Sequence, residues 1–429
     1  MNYKRLQEAE LRQRLNEPVQ FINILSGPRQ VGKTTIVRNL IPPDSPQGFY
    51  ISVDEESERL VTSLSQMSRD ISPPQKRDAD WLRYYWQEAR DRASKWAEMR
   101  PEIITSSQKY EEKSPYIFIV DEIQKIEQWS EIVKGLWDSD RANGLNMHVV
   151  LLGSAPLLMQ KGLSETLAGR YEIIPVSHWS FVEMQQAFDL SFEEFIYFGG
   201  YPGSASLIHN ESRWRSYVKE SLIQPNIEKD ILQMVRIKNP MLLKQLFELG
   251  CHYSGQELSL NKMISALNEA KHTETLADYL QLLQQAKLLA GLRKYAAQEV
   301  RKRNSAPKLN VFNTALISAT QDYTFAEAQV DRSYWGRLVE SAVGAHLLNT
   351  CDNDTQVSYW REGSDEVDFI LTKGNKLTAI EVKSASNPVV ARGLKVFAQR
   401  YTSAKIHLVG VGGIPLAEFL SYTAEHWIG

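Results

Sequence analysis

A chain of 429 residues has room for roughly two to four domains, and with 43% hydrophobic and 24% charged residues it can fill ordinary globular cores. A net charge of −3 and a pI near 6.3 exclude a global basic field, so any nucleic-acid contact must rest on a local patch. Cys251 and Cys351 cannot build a disulfide framework or a metal cluster, the charged start from Met1 to Pro18 lacks the apolar core of a signal peptide, and no run of about eighteen apolar residues offers a membrane span, so a soluble cytoplasmic protein is expected.

In chain order, the apolar run from Phe21 to Leu25 ends at Ser26-Gly27 and reads as a buried strand feeding a glycine turn. A helix follows from Thr34 to Leu40, stopped by Pro42-Pro43, and Phe49 to Val53 reads as a second strand. Residues 56–115 are a long polar and aromatic insert. Its middle, from Trp81 to Arg100, carries Leu82, Tyr85, Trp86, Ala89, Ala93 and Trp96 at helical spacing, which predicts a helix packed on the core. Tyr116 to Val120 and Val149 to Leu152 are runs of buried-strand type. Strands alternating with helices predict an α/β fold over residues 1–180, a parallel sheet with helices on both faces.

From about Phe181 helices dominate. Pro240 to Cys251, Asn261 to Asn268 and Glu274 to Gln285 read as three short helices, followed by a turn into a β-hairpin at Ala286 to Tyr295. Three helices and a hairpin predict a winged helix-turn-helix within a helical region over 181–305. The stripe Leu276, Tyr279, Leu280 and Leu283 is read as core. The last region, 306–429, returns to mixed α/β, with a helix from Gly336 to Leu348 and strands at Glu366 to Thr372, Leu377 to Lys383 and Lys405 to Val411.

Two constellations carry chemistry. Gly27-Pro28-Arg29-Gln30-Val31-Gly32-Lys33-Thr34 fits the P-loop pattern G-x-x-x-x-G-K-S/T, with Thr35 continuing it into the helix. The glycines let backbone N–H groups face phosphate oxygens, Lys33 supplies a charge to the β- and γ-phosphates, and Thr34 offers a hydroxyl to Mg²⁺. The strand from Tyr116 to Val120 ends in Asp121-Glu122, with Asp121 placed for the Mg²⁺ shell and Glu122 for activating a water. Ser154 follows the next strand and is a candidate γ-phosphate contact. Arg170 is a candidate γ-phosphate sensor or an arginine finger given to a neighbouring subunit. The Asn-Lys pair Asn261-Lys262, of the guanine-reading kind, has Ile264 where an aspartate is needed, so ATP is expected over GTP.

The second constellation is Asp368, Glu381 and Lys383. Glu381 and Lys383 lie two apart on one strand and project together, and pairing of the two strands would bring Asp368 to Glu381. Asp368 and Glu381 are candidate Mg²⁺ ligands, Lys383 a candidate for holding the attacking water, and Glu340 a further carboxylate on the preceding helix. Arg361 is a candidate phosphate contact.

The stretches GPRQVGKTT, VDEIQKIEQW, LLGSAPLLM, LAGRYE, FGGYPG, ADYLQLLQQAKLL, GRLVESAV, YWREGSDEVDFIL and AIEVKS resemble, in order and spacing, a large prokaryotic family of AAA-class ATPases that end in a long-uncharacterised domain. In that family a P-loop ATPase is joined to a winged helix and a PD-(D/E)XK nuclease-like domain of restriction-endonuclease type. The resemblance implies ATP and Mg²⁺ at Lys33, Thr34, Asp121 and Glu122, and a nuclease-like set of Glu340, Asp368, Glu381 and Lys383. It also adds weight to Arg170. The expected activity is ATP hydrolysis coupled to a DNA-directed nuclease-like domain. The alternative is an ATP-dependent switch with a catalytically inactive nuclease-like domain. DNA, a protein partner or a second copy of the chain are the candidate partners, and the basic runs Arg293-Lys294 and Arg301-Lys302-Arg303 are the candidate DNA-contacting patch.

Overall fold

The computed structural model describes residues 3–42, 45–54, 74–99, 115–153, 166–231, 237, 239–267, 272–296, 305–384 and 392–428. The chain divides into two compact units, Asn2–Val176 and Ser177–Gly429. Among the described residues no helix is long and apolar enough to cross a membrane.

The first unit runs α1 (Leu6–Leu15), β1 (Ile22–Ser26), α2 (Lys33–Leu40), β2 (Gly48–Ser52), α3 (Ala79–Met99), β3 (Tyr116–Asp121), α4 (Trp129–Ala142), β4 (Met147–Gly153) and β5 (Tyr171–Pro175). Its five strands are all parallel, in the order β2-β3-β4-β1-β5. Such a sheet must be covered on both faces, and alternation along the strands shows how. On β3, Tyr116, Phe118 and Val120 enter one core with Trp81, Tyr85 and Trp86 of α3 and Val133 and Trp137 of α4. Ile117 and Ile119 enter the other with Leu11 and Leu15 of α1 and Ile36 and Val37 of α2. The expected parallel sheet with helices on both faces is therefore present. The insert helix α3 is locked to α4 through one buried carboxylate, Asp140. It accepts from Trp86 Nε1 at 2.7 Å and from Arg90 Nε at 2.5 Å. The strand β5 had no counterpart in the sequence reading, because its edge position leaves Glu172, Ile173 and Pro175 exposed and breaks the apolar run.

The second unit opens with α5 (Phe181–Phe188), α6 (Phe192–Phe198) and α7 (Glu211–Tyr217). Capping boxes at Ser180/Glu183 and Ser191/Glu194 start the first two. Between α6 and α7 the FGGYPG stretch packs inward. Gly199, at φ +70, has no room for a Cβ, which would lie 2.0 Å from Asn313 Oδ1, and the Gly200 N–H donates to that oxygen. The motif is thus a buried backbone joint.

Three helices follow, α8 (Pro240–His252), α9 (Leu260–Ala266) and α10 (Thr273–Gln285), and Leu276, Tyr279, Leu280 and Leu283 are core as expected. The hairpin expected at Ala286 to Tyr295 is a single strand, β6 (Leu289–Lys294). Its antiparallel partner β7 (Lys308–Val311) comes from beyond residues 297–304. β6 also pairs in parallel with β8 (Gln356–Glu362), so the helical region and the last region are joined through one sheet.

That sheet has six strands in the order β11-β10-β9-β8-β6-β7, with β9 (Asp365–Lys373), β10 (Lys376–Lys383) and β11 (Lys405–Gly410). β8, β9 and β10 are antiparallel neighbours, while β10 and β11 are parallel. Between β7 and β8 lie α11 (Ala315–Thr320), α12 (Phe325–Val330) and the long α13 (Arg332–Thr350), and α14 (Arg392–Arg400) precedes β11. Leu338, Val339 and Val343 of α13 share a core with Phe369 and Ile380. Leu394 and Phe397 of α14 pack with Trp360, Val367 and Ile370.

His346 of α13 gives this unit a measurable pH response. Its ring is buried, and its Nε2 lies 2.7 Å from Tyr422 O, a distance at which only the nitrogen can donate. Burial pushes its pKa down to about 4 from the usual 6.5. Between those values the unfolded chain takes up a proton that the folded chain refuses. His346 therefore contributes stability above pH 6.5 that is lost as pH falls towards 4, up to roughly 3 kcal/mol. Denaturant titrations of wild type and His346→Gln across this window should show a shallower pH slope for the variant. Equal slopes would remove His346 as the titrating group.

Candidate nucleotide site and acidic cluster

Parallel strands place all their C-terminal ends on one edge, where open α/β sheets bind ligands. Ser26 closes β1 there, and Gly27 to Gly32 turn the chain into α2. Gly27 lies so near the backbone that a Cβ would sit 2.0 Å from Val176 O, and Gly32 takes φ +92 at the helix start. Neither position admits a side chain without displacing its neighbours or straining the turn. Arg29 and Gln30 occupy the turn and Thr35 is exposed in the first turn of α2. Lys33 is only 6% exposed, and its ammonium donates to Gly27 O at 2.9 Å and Pro28 O at 2.8 Å. The first N–H groups of α2 have no partner within the helix, which makes this end an anion site.

Asp121, at the end of β3, is buried and receives two hydroxyls on one oxygen. Thr34 Oγ1 donates to Oδ2 at 2.7 Å and Tyr50 OH donates to it at 2.8 Å. Its other oxygen accepts the Glu122 N–H at 2.9 Å. Glu122 follows in the left-handed region, at φ +56, and its carboxylate accepts from Gln124 Nε2 at 2.5 Å. The structure thus brings together Lys33, Thr34, Asp121 and Glu122 from two strand ends. Ser154 lies outside the described residues.

Two residues here escaped the sequence reading. Arg5, buried just before α1, donates from Nη1 to Val31 O at 2.9 Å and ties down the P-loop from outside the motif. Tyr50 was legible in principle, since alternation with Phe49 and Ile51 turns it to the α2 side of the sheet.

Arg170 requires a correction. Its carbonyl accepts the Ile22 N–H, and Ile22 pairs with Tyr171, so Arg170 stands at the N-terminal end of β1 and β5. The P-loop leaves the opposite end of β1, about 16 Å away at 3.3 Å per residue. Arg170 is therefore no γ-phosphate sensor for its own P-loop. Its guanidinium is held by Asp138 of α4, at 2.7 Å from Nε and 3.0 Å from Nη2.

In the second unit, Glu340, Asp368, Glu381 and Lys383 do converge. Antiparallel β9 and β10 bring Asp368 Oδ2 to the Val382 N–H at 2.9 Å, and Lys383 Nζ donates to Glu381 Oε1 at 2.6 Å. The sequence reading missed their central member, Lys308 of β7. Its ammonium lies 2.5 Å from Glu340 Oε1 and 3.3 Å from Asp368 Oδ1, above the Phe369 ring. Burial works against that charge, but Glu340 and Asp368 outweigh it and raise the Lys308 pKa. Burial pushes Glu340 up, with Lys308 opposing and Asp368 adding to the rise. Burial and Asp368 likewise push Glu381 up, against the pull of Lys383. Glu381 Oε2 is buried and has no hydrogen-bond partner.

In this arrangement the ammonium of Lys308 stands between the Glu340 and Asp368 carboxylates. Of the four oxygens on Asp368 and Glu381, three already accept from Lys308, Val382 and Lys383. Among the described residues no group of three or more His, Cys, Asp or Glu side chains is placed to hold a metal ion. Arg361 is paired with Glu257 at 2.9 Å and Glu366 at 3.4 Å. Arg301, Lys302 and Arg303 lie outside the described residues.

The family model of an AAA domain matches residues 20–185, and two domains of unknown function, DUF8612 and DUF4143, match 189–326 and 335–413. An uncharacterized protein of Haemophilus influenzae is 23% identical over 286 residues, covering 62% of this chain and 65% of the relative. One of Mycobacterium tuberculosis is 24% identical over 288 residues, covering 65% and 61%. The chain thus spans less than two thirds of either relative's length. Among solved structures, the Walker-type ATPase PABY2304 of Pyrococcus abyssi is similar at 12% identity and a TM-score of 0.43, covering 75% of this chain and 96% of that one. AMPPCP-bound DnaA from Aquifex aeolicus is similar at 11% identity and 0.27, covering 65% and 87%. Neither structural likeness is close enough to carry weight. The family match and the five-stranded parallel sheet together make the N-terminal unit an AAA-class P-loop ATPase domain.

Proposed function

We infer that this protein is an ATP-driven switch, in which the nucleotide held at Gly27 to Thr35 governs DNA binding by a nuclease-like C-terminal unit. The 2.7 Å contact between Thr34 Oγ1 and Asp121 Oδ2 carries the ATP half of the reading. It joins a hydroxyl and a carboxylate, the hard oxygen ligands that Mg²⁺ takes. Mg²⁺ bound through Thr34 and Asp121 would neutralise charge on the β- and γ-phosphates. Lys33 brings its ammonium to the same phosphates. Glu122 accepts the proton of the attacking water at its carboxylate. Arg170, at the far edge of the sheet, is suited to completing the site of a second copy of the chain.

β6 presents Arg293 and Lys294 beside a winged-helix-like set of three helices, and the acidic cluster with Lys383 is of the nuclease-like kind. One observation favours the second reading, metal-dependent cleavage, namely the unpartnered Glu381 Oε2 beside Lys383.

The test is fluorescence anisotropy on single- and double-stranded DNA with ATP, ADP or no nucleotide, using wild type and Lys33→Ala. An ATP-dependent change in DNA affinity of tenfold or more, lost in Lys33→Ala, is expected. DNA affinity that ignores the nucleotide would sink the switch, and cleavage of the probe in Mg²⁺ or Mn²⁺ would install the second reading.

A further inference from the structure

We propose that Lys308 is the resident cation of the C-terminal cluster, seated between Glu340 and Asp368 so that this site takes no divalent metal. The proposal rests on the nuclease-like reading of the unit only in identifying which metal site has been replaced.

Three observations carry it. Lys308 reaches both carboxylates at once, and the Asp368 backbone carbonyl, 3.3 Å from Nζ, completes its surroundings. An ammonium has three donors and no acceptor, so this is a satisfied cation site. A divalent ion sits about 2 Å from a carboxylate oxygen. On Glu340 Oε1 it would stand against an ammonium already 2.5 Å from that atom. Two like charges at that range repel strongly in a buried site, and one must leave.

Lys308 is not free to leave. Its backbone is paired in register with Leu292 of β6 and bridged to Glu257, and the residue is 6% exposed. Its ammonium is held over the Phe369 ring as well as by the two carboxylates. The chain therefore supplies internally the positive charge that the buried Asp368 and Glu381 and the part-buried Glu340 require. Lys308 faces Glu340 and Asp368, Lys383 faces Glu381 Oε1, and Glu381 Oε2 is left without a hydrogen-bond partner.

The probe is Mn²⁺, titrated into nucleotide-free full-length protein and followed by electron paramagnetic resonance and thermal unfolding. Wild type and Asp368→Asn are expected to titrate alike. Lys308→Met is expected to gain a Mn²⁺ site at least tenfold tighter than anything in wild type. Mn²⁺ should raise its unfolding temperature, and both effects should vanish in Lys308→Met/Asp368→Asn. A wild-type Mn²⁺ site abolished by Asp368→Asn would overturn the proposal, as would a folded Lys308→Met that gains no site. If Lys308→Met does not fold without metal, the comparison of wild type with Asp368→Asn decides alone. ATP turnover by the same preparations reports separately on the first unit, so failure there is distinguishable from failure here.

Discussion

Glu122→Gln should lower ATP turnover by about 10²–10⁴-fold while leaving ATP affinity essentially unchanged. In the proposed reading binding rests on Lys33 and on the turn between Gly27 and Gly32, while the Glu122 carboxylate accepts from Gln124 Nε2. Glutamine keeps the length of the side chain and an oxygen that can still accept from Gln124 Nε2. The Glu122 N–H donates to Asp121 from the backbone, so that anchor also survives. What disappears is basicity. The measurement is single-turnover hydrolysis beside equilibrium binding of ATP. Turnover at the wild-type rate would exclude Glu122 as the base. A parallel collapse of affinity would instead show that the substitution had disturbed the strand end.

The nucleotide site was legible because its chemistry is local. A glycine turn, a lysine and a threonine at fixed spacing must follow a strand and open a helix to work, and β1 and α2 supply that context. Asp121 was readable for a related reason, since an apolar run of β3 type has to end at a polar edge. Arg170 shows where such reading stops. Nothing local says that β5 lies beside β1 in parallel. That crossover is what puts Arg170 at the wrong end of the sheet for its own P-loop. Arg5 escaped for a similar reason, since its partner, Val31 O, is a backbone atom 26 residues away.

The acidic cluster divides the same way. Asp368, Glu381 and Lys383 belong to two neighbouring strands whose pairing the spacing suggests. Lys308 sits 60 residues before Asp368, in a four-residue strand without a motif. It enters the cluster because β6 and β7 join the same sheet as β8 to β11. The member that decides the site's charge was thus the one supplied by topology alone.

Lys308→Ala should cost about 3–5 kcal/mol in the stability of the C-terminal unit, the penalty for leaving a buried ion pair with one partner. The variant would leave Glu340 and Asp368 facing each other at a site where Asp368 is 7% exposed, with no cation between them. Lys383 cannot substitute, because its ammonium is committed to Glu381 at 2.6 Å. The cost should come chiefly from the stranded charge, with a smaller share from the lost aliphatic stem. Two further variants separate these. Lys308→Met keeps most of the stem and should remain strongly destabilised. Lys308→Met/Glu340→Gln/Asp368→Asn removes the charges in similar shapes and should recover most of the loss, since well-packed neutral groups often replace a buried ion pair without penalty. Denaturant titrations of the full chain give the magnitudes, and hydrogen exchange over α13, β9 and β10 shows whether the loss is seated there. If Lys308→Ala stays within about 1 kcal/mol of wild type, Lys308 is not the counter-charge of the cluster. If the triple variant is no more stable than Lys308→Met, the loss is one of packing, and the five charged groups do not act as one network.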